Sequence, residues 1–200
     1  MRRELEYFTI GDLYGGRQDY LDDWVMRIGG CAAVTACDAC IYFARQGRRK
    51  LYPFDPWELT WADYLRFSRQ MKPYLHPRMQ GIDRLELYQE GLGAYLRDVG
   101  ERGLGMEGLP GSRPYAQAEA AVRAQINGGL PIPTLVLRHK SPNLQDYVWH
   151  WFLLTGYETF ENVTMVKAVT YGAWRWLDLS ELWDTGWEKR GGLILFRPEN

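Results

Sequence analysis

The hydrophobic pattern of this chain changes period near Gly128-Gly129, from helical spacing before it to strand-like runs after it. Cys31 to Arg45 is Ala-rich and apolar with no Pro or Gly inside it, which predicts a buried helix. Gly47 and the basic run Arg48-Arg49-Lys50 mark its stop. Thr60 caps a second helix over TWADYLRFSRQM, with Asp63 three residues on in a box-like position. Ile82, Leu85, Leu92, Tyr95, Leu96 and Val99 share mainly helical spacing, and YAQAEAAVRAQI forms a further helix closed by Gly128-Gly129. Strands are predicted over Leu130–Arg138, Tyr147–Tyr157, Val163–Thr170 and Ala173–Leu179. A short helical turn at Ser180–Trp183 and a closing strand over Gly192–Arg197 follow. Helices first and strands last make this an α+β fold in a single domain. A helical lobe over about 31–127 faces an antiparallel sheet lobe over about 130–197. Residues 1–30, rich in Gly, Asp and aromatics, read as an irregular leader. Gly100 to Ser112, with five glycines and a proline, reads as a flexible loop. It closes a helical insertion over residues 46–112 and is expected to act as a lid.

Composition narrows the classes. With 24 basic and 25 acidic residues well mixed and a formal net charge of −1, no face is basic enough to suggest nucleic acid or an anionic membrane. The start lacks the apolar run of a signal peptide, and no stretch approaches the ~20 apolar residues of a membrane span. The expected location is the cytoplasm. Six of the nine tryptophans lie between Trp149 and Trp187, which points to a strongly packed sheet or an aromatic-lined cleft.

All three cysteines fall in GGCAAVTACDAC, Gly29 to Cys40. Three thiols crowded into ten residues do not make a secreted disulfide framework. Cys31 stands where a Gly-Gly turn enters the helix, among unpaired amides at the positive end of the helix dipole, a setting that favours thiolate. Those amides could also face an oxyanion. The alternative is a small apolar residue at a helix start. Cys37 and Cys40 form C-D-A-C, but zinc needs two more ligands and no second CxxC or HxxxH exists, so core thiols are expected. No GxxxxGK[ST] or strand-linked GxGxxG supports phosphate binding. Of the three histidines, His76 in LHPR and His139 in RHKSPN read as exposed turn and loop-tip residues. His150 stands inside VWHWFLLTGY.

A cysteine at a helix start, a helix-Gly-Pro-strand unit and a histidine in a strand ending Gly-Tyr occur in that order. In this the chain resembles the papain-like cysteine peptidases, and is most similar to bacterial peptidases of the bacteriocin-processing type. Three pieces carry the resemblance: GGCAAVTACDACIYFA, INGGLPIPTLVL and VWHWFLLTGYE. It implies a papain-like fold with the nucleophile helix packed on the sheet. Cys31 would be the nucleophile and His150 the general base, cleaving a peptide-like or small amide through an acyl-enzyme. It also implies an oxyanion donor from a side-chain amide upstream of the cysteine. Gln18 is the only glutamine there, 13 residues before Cys31, a spacing that requires an insertion. The family places Asn or Asp on the strand after the histidine strand. This chain has Ala168-Val169-Thr170-Tyr171-Gly172 there, so the Thr170 hydroxyl is the candidate orienter. No metal or organic cofactor is implied. The alternatives are a degenerate member that binds a peptide or protein partner and an amide-forming acyltransferase. Substrate identity and oligomeric state are left open.

Overall fold

The computed structural model describes residues 1–78 and 81–198. It is α+β, with a seven-stranded antiparallel sheet and six α-helices among the described residues. The strands are β1 (Arg2–Glu4), β4 (Leu104–Pro110), β5 (Ile132–Val136), β6 (His150–Phe160), β7 (Val163–Thr170), β8 (Ala173–Asp178) and β9 (Gly192–Pro198). Their order is β4-β9-β5-β6-β7-β8, with β1 also paired to β6. A separate hairpin joins β2 (Thr9–Ile10) to β3 (Leu13–Tyr14). The helices are α1 (Trp24–Gly29), α2 (Cys31–Arg45), α3 (Trp61–Met71), α4 (Leu85–Asp98), α5 (Tyr115–Asn127) and α6 (Leu179–Trp183). No helix among the described residues is long and apolar enough to cross a membrane.

Helix α2 is the axis of the core. Every residue from Ala32 to Ala44 except Val34 is buried, so the helix is enclosed on all sides and packs against β6. Three alanines on its first two turns let the strand approach closely. At the head of α3 the Thr60 hydroxyl accepts from the Asp63 amide at 3.1 Å and donates to the Asp63 carboxylate at 2.8 Å. The box is thus half reciprocal, because the shorter Asp side chain returns to the hydroxyl rather than to a backbone N–H.

Three sequence expectations fail here. The glycine-rich segment is not a loop: Leu104–Pro110 is β4, paired residue for residue with β9. Its glycines are tolerated because β4 lies at the sheet edge, with a partner on one side only. The leader is not irregular either. Its first strand pairs with β6, Arg2 opposite Glu158 and Glu4 opposite Gly156, a close approach that leaves no room for a side chain at Gly156. The sheet therefore draws strands from outside residues 130–197, and the two lobes are interleaved. His139 is buried rather than a loop tip: its Nδ1 accepts from the Ser141 amide and its Nε2 lies 2.9 Å from the Glu181 carbonyl.

Candidate functional site

Cys31 is the first residue of α2, and the glycines before it have steric reasons. A side chain at Gly30 would meet the Met26 carbonyl at 2.4 Å, and one at Gly29 would meet Pro77 at 2.9 Å. The pair lets α1 and α2 join almost end to end, with the Gly30 amide donating to Met26. Cys37 and Cys40 point into the core, and both are buried. Burial raises their thiol pKa values far beyond the ordinary range.

His150 opens β6. The residue before it, Trp149, has φ of 53°, a left-handed conformation uncommon for a bulky residue, and keeps its indole exposed. The imidazole is buried, and its Nε2 lies 2.6 Å from the Thr170 hydroxyl on the adjoining β7. The Tyr171 ring stacks on it at 4.6 Å between centroids and 5° between planes. With Nε2 engaged by Thr170, Nδ1 is the ring nitrogen without a partner among the described residues. Thr170 and Tyr171 are held by a two-residue turn in which Tyr171 and Gly172 both have positive φ, 54° and 72°.

Cys31, His150, Thr170 and Gln18 all line one narrow inner cavity. Helix α1 fills the space between Gln18 and Cys31 and explains their long separation in sequence. The Gln18 amide donates one N–H to the Arg27 carbonyl at 2.8 Å, at the end of that same helix, and its second N–H remains. No hydrogen bond joins Cys31 to His150 in this structure. Cys31 also lines an open cleft of about 580 Å³, walled by Ile28, Ile82, Leu135, Trp149 and Lys189. Cys31 thus borders both an aromatic, solvent-open cleft and the inner cavity that the imidazole lines.

The electrostatics depart from what the helix start alone suggests. Burial raises the Cys31 thiol above its ordinary value. Backbone N–H groups of Trp151, Ala32 and Cys31 itself pull the other way without prevailing. Burial also lowers His150 to about 4. Both charged forms are disfavoured, so the resting pair is a thiol and a neutral imidazole.

Sequence reasoning missed Asp38. This carboxylate, 4% exposed, lies two turns beyond Cys31 on α2 and lines the inner cavity. It accepts from the Tyr7 hydroxyl at 2.8 Å, the Tyr64 hydroxyl at 2.8 Å and the Gly16 amide at 2.9 Å. Burial pushes it up to about 6 against these three donors. The available signal was a lone charge inside an apolar helical run, and it was hidden by the flanking cysteines. Among the described residues, no group of three or more His, Cys, Asp or Glu side chains comes together in a way that could hold a metal ion.

Comparison with known proteins gives no matching family model, no matching curated relative and no matching solved structure.

Proposed function

We propose that the protein is a papain-like thiol hydrolase that cleaves a peptide-like amide through a Cys31 acyl-enzyme. The observation that carries this is the shared cavity: a cysteine at a helix start and a histidine at a strand start both line it, and Thr170 holds Nε2 while Nδ1 has no partner among the described residues. In the proposed step, Nδ1 takes the thiol proton as sulfur attacks the carbonyl carbon, and the carbonyl π pair moves to oxygen. The Cys31 backbone N–H and the second N–H of Gln18 are the donors for that oxyanion. Collapse expels the amine, which takes the proton from His150 and leaves a thioester. Water, deprotonated by the same imidazole, attacks the thioester, releases the acid and restores the thiol. Because the resting pair is neutral, the proton moves with the attack rather than before it. The open cleft beside Trp149 supplies an apolar wall for the substrate's side chains.

The test is labelling with a peptidyl vinyl sulfone followed by peptide mapping. Labelling should fall on Cys31, vanish in Cys31→Ala, drop at least ~100-fold in His150→Ala and drop only severalfold in Thr170→Val. Labelling that ignores His150 overturns the reading. A second reading, a non-catalytic peptide-binding member of the same class, is favoured by the neutral hydroxyl where an orienting amide or carboxylate would stand. It predicts reversible binding in the cleft with no Cys31 adduct.

A further inference from the structure

We infer that Asp38 is a positioning residue that locks the His150 frame to the Cys31 helix, in place of the orienting Asn or Asp that the strand after the histidine lacks. This rests on the reading of Cys31 and His150 as the reacting pair. The chain of contacts is continuous. Asp38 on α2 takes the Gly16 amide. The Gly16 carbonyl accepts from the Gly172 amide at 3.1 Å, and the Gly172 carbonyl accepts from the Tyr14 amide at 2.8 Å. Gly172 is the second residue of the turn that carries Thr170 and Tyr171, the two groups on the imidazole. The carboxylate therefore fixes the leader to α2, and the leader fixes the turn that holds His150. Gln18, two residues beyond Gly16, is placed by the same anchor.

The fit around Asp38 is tight. A side chain at Gly16 would meet the Tyr64 hydroxyl at 1.8 Å and the Asp38 carboxylate at 2.8 Å, so glycine is required for the backbone to come this close. The donors come from three separate elements: Tyr7 from the leader strand region, Tyr64 from α3 and Gly16 from the loop. The other ionisable groups felt there are Tyr88 on α4 and Cys37 on α2 itself, and the carboxylate's hydrogen-bond partners include no cation. A carboxylate buried without a cation is costly to desolvate, and its removal would leave three buried donors unpaired. Here it accepts three hydrogen bonds that converge from the parts that must keep register for His150 to face Cys31.

The test reads the imidazole rather than turnover. ¹⁵N NMR titration of His150 and amide exchange at Gly16 and Gly172 should be compared in wild type, Asp38→Ala, Asp38→Asn and Val122→Ala. The last is a core control on α5, of comparable destabilisation. In Asp38→Ala the frame opens to water, so the His150 titration should move up by about one pH unit or more toward its ordinary value. Exchange at both glycines should rise at least ~10-fold over the control. Asn keeps an acceptor for Gly16 and should fall between the two. A folded Asp38→Ala whose His150 titrates as in wild type overturns the inference, as does a control that shifts it equally. If Asp38→Ala does not fold, Asp38→Asn and Tyr64→Phe carry the same comparison. These readouts need no substrate. Failure here leaves the vinyl sulfone result intact, and failure of that labelling leaves the coupling measurable.

Discussion

Replacing His150 with Gln should tilt the pH dependence of folding stability by leaving the Asp38 contribution uncompensated. The two groups are nearly fully buried and shifted in opposite senses: His150 down from 6.5 to about 4, Asp38 up from 3.8 to about 6. His150 has a depressed pKa, so its contribution is fully present above pH 6.5 and is lost as pH falls toward about 4. Asp38 has a raised pKa, so its contribution is fully present below pH 3.8 and is lost as pH rises through about 6. At ~1.4 kcal/mol per pH unit, each effect spans about 3 kcal/mol over nearly the same window, and in the wild type they largely cancel. In His150→Gln the cancellation is gone, and stability relative to wild type should fall by about 3 kcal/mol between pH 4 and 7. Asp38→Asn should do the reverse, rising relative to wild type by up to about 3 kcal/mol as pH climbs from 4 to 6.5. Urea unfolding followed by tryptophan fluorescence, in half-unit pH steps, measures both. Subtracting the wild-type curve removes the other titrating groups. Curves for the two variants that run parallel to wild type would refute the assigned burial of both charges.

Three further outcomes follow from the same structure. Iodoacetamide should modify Cys31 in the folded protein at a rate that keeps climbing above neutral pH, because burial holds the thiol above its ordinary value, while Cys37 and Cys40 react only on unfolding. Equal rates for all three at neutral pH would contradict this placement. Gly16→Ala should destabilise the protein by about 1–3 kcal/mol, through the clash of its methyl group with the Tyr64 hydroxyl, as read from the shift in the urea midpoint. Limited proteolysis should spare residues 104–110, since β4 is paired along its length with β9, and early cleavage there would contradict that pairing.

The elements that sequence reveals are those whose apolar period is local. Helix α2 and the strand Val163–Thr170 match their expected bounds, because an unbroken apolar run or alternation states its own geometry. Strand β4 was hidden because Leu-Gly-Met-Glu-Gly-Leu-Pro carries turn residues, and its partner β9 lies about 90 residues away; only the ladder makes it a strand. The leader misled for the same reason: Arg2-Arg3-Glu4 has no strand-like apolar pattern, and its partners are Glu158, Tyr157 and Gly156. At the candidate site, Cys31 and His150 could be singled out from their positions in helix and strand. Asp38 could not, since its role is defined by Tyr7, Tyr64 and Gly16, from which it is separated by 31, 26 and 22 residues. The long separation of Gln18 from Cys31 was not legible, because the intervening α1 is only six residues long.

That α2 is enclosed on all sides has a consequence for how the chain is made. The strand it packs on, β6, begins more than a hundred residues after α2 ends. During synthesis at ~5–20 residues per second, the helix leaves the ribosome with no sheet to receive it for roughly 5–20 s. A helix whose surface is mostly Ala, Cys, Ile, Tyr and Phe is sticky for that whole interval. The pairing that finally encloses it is of long sequence separation and slow to nucleate. Slowing translation between the synthesis of Arg45 and that of His150 should therefore lower soluble yield.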